Sequence, residues 1–240
     1  MSIMPTYDPL FSIRIWEYDT DEIRLSAMSN TRFVAHLKDV FHFERADIDR
    51  PRHRDRMAQP VWPPGLVFEL GVGPVNQGEG SGEADEVAFR RLSIEADRIS
   101  IEVAGKTAYA DQLMDYIRFL LSEIRTPEGI PFIGEPARVK DFSLVVIHNA
   151  GLTMRRLFQP AVMDACKEHW ITDDDELLLP EVSVRIGHPY QPVRLQDQPQ
   201  WTIKPRFGVP PQKETLESHA GLSSDDHIAM LTRLHTSLSD

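Results

Sequence analysis

Apolar and polar positions alternate near the start of the chain, which predicts a pair of β-strands. The alternation runs through "FSIRIWEY" and, after "DTD", through "EIRLSAM". Apolar residues then recur at three- and four-residue spacing from Phe33 to Phe41, as in an amphipathic helix, and Asn30 or Thr31 can cap its start. The segment "GLVFELGV" predicts a further strand. This part of the chain is therefore predicted to form strand, strand, helix and strand.

The same order of elements recurs between residues 89 and 148. The stretch "RLSIEADRISIEV" predicts a hairpin in which a two-residue turn pairs Ile94 with Ile99. An apolar stripe follows Thr107, which can cap a long helix, and "FSLVVIH" predicts the closing strand. A constant shift of 76 residues aligns Leu37 with Leu113. We therefore predict a duplication of one strand-strand-helix-strand unit.

Beyond residue 150 the pattern is less regular. "EVSVRIG" alternates as a strand, and "WTIKPRF" fits an edge strand around Pro205. Ser223, followed three residues later by Asp226, forms a capping box before an apolar stripe, which predicts a final helix.

These elements predict an α+β protein with two similar lobes that form antiparallel sheet packed by helices, plus a C-terminal helical extension. Four parts are predicted along the chain: a first lobe over 1–75, a flexible acidic linker over 76–88, a second lobe over 89–150, and a mixed extension over 151–240 that ends in a helix.

Composition limits the classes of function. The single cysteine, Cys166, cannot close an internal disulfide, and no charged start followed by an apolar run indicates a signal peptide. The apolar runs are shorter than the roughly 20 residues of a membrane span. We therefore expect a cytoplasmic protein with no membrane contact. The formal net charge of -11 repels nucleic acid, so any contact with phosphate has to be local.

One resemblance rests on the second hairpin together with "TAYADQLMDYIRFLLSEI", "ARVKDFSLVVIHNAG" and the terminal "LTRLH". These segments resemble a sporadically distributed family of prokaryotic proteins, about 250 residues long, whose function is uncharacterised. The likeness covers roughly a third of the chain and assigns no catalytic residue. It implies a mobile accessory gene of the kind found beside defence or toxin systems.

Candidate chemistry is sparse. Cys166 and His169 lie one helical turn apart, but a structural zinc site needs four ligands, so a buried inert thiol is favoured. The acidic run from Asp173 to Glu176 could bind a hard cation but lacks the spacing of a calcium loop, which favours a solvated turn. We predict no catalytic residue, no metal site and no cofactor. A divalent-metal-dependent enzyme built on the acidic run is kept as an alternative.

Positive charge is concentrated in one stretch that includes "DRPRHRDR", which we call the Arg-rich stretch (residues 45–56). The predicted partner-binding residues are Arg45, Arg50, Arg52, His53, Arg54, Arg56 and, just beyond the stretch, Trp62. Arginine is enriched at protein interfaces and tryptophan is a frequent anchor there, which favours binding of another protein chain. Contact with nucleic acid and a charge network satisfied by the interleaved aspartates are the alternatives. The sequence thus favours a non-catalytic binding subunit or regulator. The resemblance implies that it belongs to a larger prokaryotic assembly, of the defence or toxin-associated type.

Overall fold

The structure is a computed structural model, and it describes the following residues: 4–19, 23, 31–49, 65–75, 85–95, 97–123, 133–151, 156–158, 181–184, 201–206 and 215–239. The chain divides into two compact units. The central unit is Phe11–Asp141, and the terminal unit combines Met1–Leu10 with Phe142–Asp240.

Nine strands and three helices are defined within the described residues. The strands are β1 (Thr6–Glu17), β2 (Arg45–Asp49), β3 (Gly65–Val75), β4 (Asp85–Ile94), β5 (Arg98–Ala104), β6 (Arg138–His148), β7 (Val182–Val184), β8 (Trp201–Pro205) and β9 (Leu216–Ala220). The helices are α1 (Thr31–Val40), α2 (Thr107–Glu123) and α3 (Ser224–Ser239). The predicted α+β class, with antiparallel sheet and helices, is confirmed.

The sheet of the central unit has the strand order β2-β3-β4-β5-β1, with antiparallel pairing between the described neighbours. The predicted hairpin is confirmed, since Ile94 pairs with Ile99 between β4 and β5. Alternate residues of β5, from Ile99 to Val103, are fully buried on the face that we call the inner face. Helices α1 and α2 bury their apolar stripes in the same core, where Leu37 and Leu113 belong to one cluster.

Two glycines of β3 make room for aromatic rings in that core. A Cβ atom on Gly71 would lie 2.5 Å from the ring of Phe43, and one on Gly73 would overlap the ring of Phe41. The rings of Phe41 and Phe89 meet edge to face, with centroids 5.5 Å apart. Glycine is therefore required in β3 by the close approach of these side chains.

The sheet of the terminal unit has the strand order β6-β9-β8-β7, again with antiparallel pairing. Helix α3 packs on it through Leu231, which lies in a cluster with residues of β6, β8 and β9. The predicted helix cap at Ser223 is confirmed, because the Asp226 amide donates to Ser223 Oγ over 3.2 Å. The Asp226 carboxylate accepts from Ser223 Oγ over 2.8 Å, in place of the backbone contact of a complete capping box.

Several finer expectations differ from the structure. Residues 11–17 of the first predicted strand pair with β5, while Ile23 makes an isolated bridge to Ile133. Residues 24–30 of the expected hairpin lie outside the described residues. Alternation indicates a strand but does not choose its partner, and here the partner is the apolar strand β5. The helices of the two predicted lobes pack into one shared core, so the structure does not show two repeated units.

Three segments of the chain also differ from the sequence prediction. Strand β8 is not an edge strand among the described strands, because it pairs with both β7 and β9; Pro205 sits at its end, where a missing amide donor is tolerated. Strand β4 begins at Asp85, inside the segment expected to be a linker. Strand β9 was not predicted, because the three residues between Leu216 and Ala220 are all polar and show no apolar–polar alternation. The boundary of the two units differs from the predicted lobes, because β3 and β4 pair within one unit.

Candidate interaction surface

Of the predicted partner-binding residues, the structure describes Arg45. It is the first residue of β2, which pairs among the described strands with β3 alone and so lies at one end of the strand order. Arg50, Arg52, His53, Arg54, Arg56 and Trp62 lie outside the described residues. The Arg-rich stretch therefore begins in an edge strand and continues directly beyond its end at Asp49.

The Arg45 side chain is weakly held. It lies opposite Glu69 of β3, with 3.9 Å between its Nη1 atom and Glu69 Oε2, and 68% of the side chain is exposed. An exposed ion pair at this distance contributes about 0 to 1 kcal/mol, because water screens both charges. Arg45 is thus accessible on the outer face, the face opposite the inner one.

Next to this pair, both β3 and β4 break their alternation. In a regular strand one residue separates two buried positions, but in β3 two residues, Glu69 and Leu70, separate the buried Phe68 and Gly71. Leu70 adopts a φ of 56°, in the left-handed region that bulky side chains rarely occupy, and it is 52% exposed. In β4 the register shifts between Phe89 and Arg91. The paired irregularities turn extra side chains away from the core.

The resulting surface combines apolar and charged groups. Val72 is exposed two residues beyond Leu70. Arg90 pairs with Glu102 over 3.5 Å, and its guanidinium carbon lies 5.4 Å from the centre of the Phe11 ring. We call the exposed Arg45, Leu70, Val72 and Arg90, together with the half-buried Glu69, the outer patch.

A different polar cluster lies inside the terminal unit. His227 of α3 is fully buried, and its Nδ1 and Nε2 atoms each lie 2.9 Å from a serine hydroxyl, of Ser143 and Ser218 respectively. Burial lowers the pKa of His227 to about 4, the charge of His219 lowers it further, and a backbone hydrogen bond with Ser143 opposes the shift. Both serines are also fully buried, so no substrate can reach this serine–histidine arrangement in the folded unit.

On the opposite face of the same sheet, Glu217 lies between two basic groups. Its Oε1 atom is 2.6 Å from His219 Nε2 and 3.4 Å from Lys204 Nζ. Burial alone would raise the pKa of Glu217, but hydrogen bonding to His219 and the charge of Lys204 hold it below the ordinary value. The carboxylate is already paired on both sides, which indicates an ion-pair network within the sheet.

Within the central unit, Arg14 of β1 joins two carboxylates. Its Nη1 atom lies 2.5 Å from Asp111 Oδ1 of α2, and its Nε atom lies 2.7 Å from Asp141 Oδ1 of β6. Hydrogen bonding to Asp141 raises the pKa of Arg14 against the opposing effect of burial, and Asp111 adds to the increase. This cluster joins strand β1 to its neighbours, and both carboxylates are already paired with Arg14.

The remaining candidate groups are not placed by the structure. Cys166, His169 and the acidic run 173–176 lie outside the described residues, as do residues 76–84 of the glycine-rich segment. Among the residues that are described, no group of three or more histidine, cysteine or acidic side chains could hold a metal ion. In the same part of the chain, no helix has the length and apolar character needed to cross a membrane.

No family model matches the chain. No curated protein matches it either.

The outer patch was only partly foreseeable. Of its members, only Arg45 was predicted from the sequence. The spacing "FRRL" in β4 is a usable signal, because two polar residues between inward apolar residues break the two-residue period of a strand. The buried position of His227 had no comparable signal.

Proposed function

We propose that this protein is a non-catalytic binding subunit or regulator that contacts another protein chain through the outer patch and the Arg-rich stretch. The observation that carries the proposal is the exposure of Leu70 and Val72 beside the accessible Arg45, at the edge strand from which the Arg-rich stretch continues.

The composition of this surface favours a protein partner. Aliphatic side chains gain free energy when a partner removes them from water, about 25 cal/mol for each Å² buried. Arginine adds contacts with carboxylates while its apolar stem covers the surface beneath it. The left-handed backbone at Leu70 costs on the order of 1 to 3 kcal/mol, and strain of this kind occurs most often at functional sites.

The charge pattern favours protein over nucleic acid. Glu69 lies beside Arg45 and Glu102 beside Arg90, so acidic groups are interleaved with the basic ones on this face. A mosaic of both signs can match a protein surface, whereas a phosphate backbone is attracted by positive charge alone.

The wider setting rests on the resemblance noted in the sequence. A cytoplasmic prokaryotic assembly of the defence or toxin-associated type agrees with the family that the chain resembles. Duplication of residues 11–72 and 89–148 is part of the same proposal, supported by the burial of Leu37 and Leu113 at positions 76 residues apart.

Titration with nucleic acid distinguishes the protein-binding proposal from its alternative. We expect no micromolar binding of a short labelled DNA duplex or its single strand at roughly 0.15 M salt, because the net charge of -11 repels phosphate. Fluorescence anisotropy measures the dissociation constant. Two matched triple variants are compared. The first changes Arg50, Arg52 and Arg54 to alanine, and the control changes the exposed Arg138, Arg206 and Arg233 to alanine, which lowers the net charge by the same amount.

Micromolar binding that is abolished in the first triple variant and kept in the second would contradict the proposal. In that case the log-log salt slope would flatten by about 0.7 to 0.9 for each phosphate that an arginine no longer neutralises.

A further inference from the structure

The contact between α3 and the sheet of the terminal unit is centred on His227. The imidazole is fully buried, and it bonds to a serine on each of two neighbouring strands, Ser143 of β6 and Ser218 of β9. These two hydrogen bonds join the helix to both strands at one point.

The other contacts of Ser218 determine where the imidazole proton lies. Trp201 Nε1 donates to Ser218 Oγ over 2.9 Å, and Ser218 Oγ donates to the carbonyl oxygen of Thr202 over 3.1 Å. A hydroxyl has one proton, so His227 Nε2 has to carry a hydrogen and donate it to Ser218 Oγ. His227 Nδ1 is then free to accept the hydroxyl proton of Ser143. Every group in this network is satisfied when the ring is neutral.

A backbone hydrogen bond with Ser143 favours the charged form of His227, but the cost of burying the charge outweighs it. Within the paired segments of β6, β9 and β8, the residues on the face of Ser143 and Ser218 are uncharged: Val145, Ile147, Leu216, Ala220, Trp201, Ile203 and Pro205. Along α3, the buried neighbours one turn away are Ser224 and Leu231. The other titratable groups of the packed elements are placed as follows. Glu217, His219 and Lys204 are on the opposite face of the sheet, and Asp225, Asp226 and Arg233 are exposed. Asp141, two residues before Ser143 on β6, is paired with Arg14; Tyr7 bonds to Thr232 of α3; and His235, which is buried, is two turns along α3.

We propose that His227 is an acid-sensitive latch, whose protonation releases α3 from strands β6, β9 and β8. A second ring proton would make Nδ1 a donor and remove the acceptor for the Ser143 hydroxyl, and the strand residues paired around Ser143 and Ser218 on this face supply no carboxylate to balance the charge. Release of the helix exposes the imidazole to water, where it accepts the proton freely. Acid therefore favours the undocked helix.

The direction and the size of the expected pH effect on the docking of α3 follow from proton linkage. Docked His227 has a pKa of about 4, below the ordinary histidine value of about 6.5 for the undocked helix. Between these two pH values only the undocked state binds the proton, so the docking constant falls by up to tenfold for each pH unit, roughly 300-fold in all. Above about pH 6.5 the latch is fully closed.

Hydrogen exchange of the α3 amides at pH 7, 6 and 5, corrected for the intrinsic rate, tests this directly. We expect the opening constant of α3 to rise about tenfold per unit below pH 6.5 in the unchanged protein. His227→Gln cannot titrate, so its opening constant is expected to be independent of pH over this range. His235→Gln removes the other buried histidine of α3 and is expected to keep the pH dependence of the unchanged protein.

An α3 opening constant that stays pH-dependent in His227→Gln, or that is pH-independent in the unchanged protein, would overturn the proposal. Nitrogen NMR of the unchanged protein gives a second measurement that needs no variant. The ring of His227 is expected to be the neutral Nε2–H form at pH 7, and a His227 that titrates near 6.5 in the folded state would also refute the latch.

Discussion

Replacing Phe89 with alanine is expected to lower the free energy of unfolding of the central unit by about 4 kcal/mol. Phe89 is almost completely buried, and its ring meets that of Phe41 edge to face. It also lies directly beneath Gly73, where a Cβ atom would approach the ring to 2.9 Å. Because the surrounding rings and strands cannot collapse freely into the space, the substitution removes buried apolar surface and leaves a cavity.

Urea unfolding, followed by hydrogen exchange in β3, β4 and β5, measures this loss within the central unit. The matched control is Phe119→Ala, since Phe119 is 59% exposed on α2, and the same chemical change there is expected to cost less than about 1 kcal/mol. Equal costs at the two positions would show that the aromatic cluster around Phe89 is not the centre of this core.

Replacing Arg14 with alanine is expected to destabilise the central unit by about 2 kcal/mol. The change leaves Asp111 and Asp141 without the cation that joins them. Breaking a fully buried pair costs more, but the Asp111 side chain is 44% exposed, so water compensates part of the loss. The raised pKa of Arg14 means that its contribution is fully present at neutral pH and declines only above the ordinary arginine range.

The informative comparison is a combined variant in which Arg14→Met is joined to Asp111→Asn and Asp141→Asn. Removing all three charges together is expected to recover most of the stability that Arg14→Ala removes, because no uncompensated carboxylate is left. Urea unfolding measures both proteins. A combined variant that is no more stable than Arg14→Ala would show that the unpaired carboxylates are not what destabilises Arg14→Ala.

Much of the secondary structure could be predicted because local patterns determine it. The hairpin around Ile94 and Ile99 has a short turn between apolar strands, and the helix from Thr107 has a long apolar stripe, so neighbouring residues alone specify both elements. The partner of β1 could not be predicted in the same way. Pairing between residues 11–17 and 98–104 joins distant segments, and many apolar strands could satisfy the same alternation.

The candidate surface, too, could be predicted only where a local sequence pattern determines it. Arg45 was predicted as part of a charge cluster that is visible in the sequence. The exposure of Leu70 depends on a left-handed backbone and on the aromatic rings that pack under β3, neither of which a local pattern reveals. His227 was missed because a histidine on an amphipathic helix is equally compatible with a buried or an exposed position.

The binding proposal is tested most directly by the affinity of a purified partner for matched variants. Three versions are used to capture proteins from nuclease-treated cells of the source organism. They are the unchanged protein, the triple variant of Arg50, Arg52 and Arg54, and the control triple variant of Arg138, Arg206 and Arg233. A protein retained by both the unchanged protein and the Arg138, Arg206 and Arg233 variant is purified, whether or not the Arg50, Arg52 and Arg54 variant retains it. Its dissociation constant for each of the three versions is measured by calorimetry. We expect the first triple variant to bind at least about 30-fold more weakly, with most of the loss at one or two arginines, and the control to bind normally. Equal affinity for all three versions, or capture that depends on nucleic acid, would contradict the proposal.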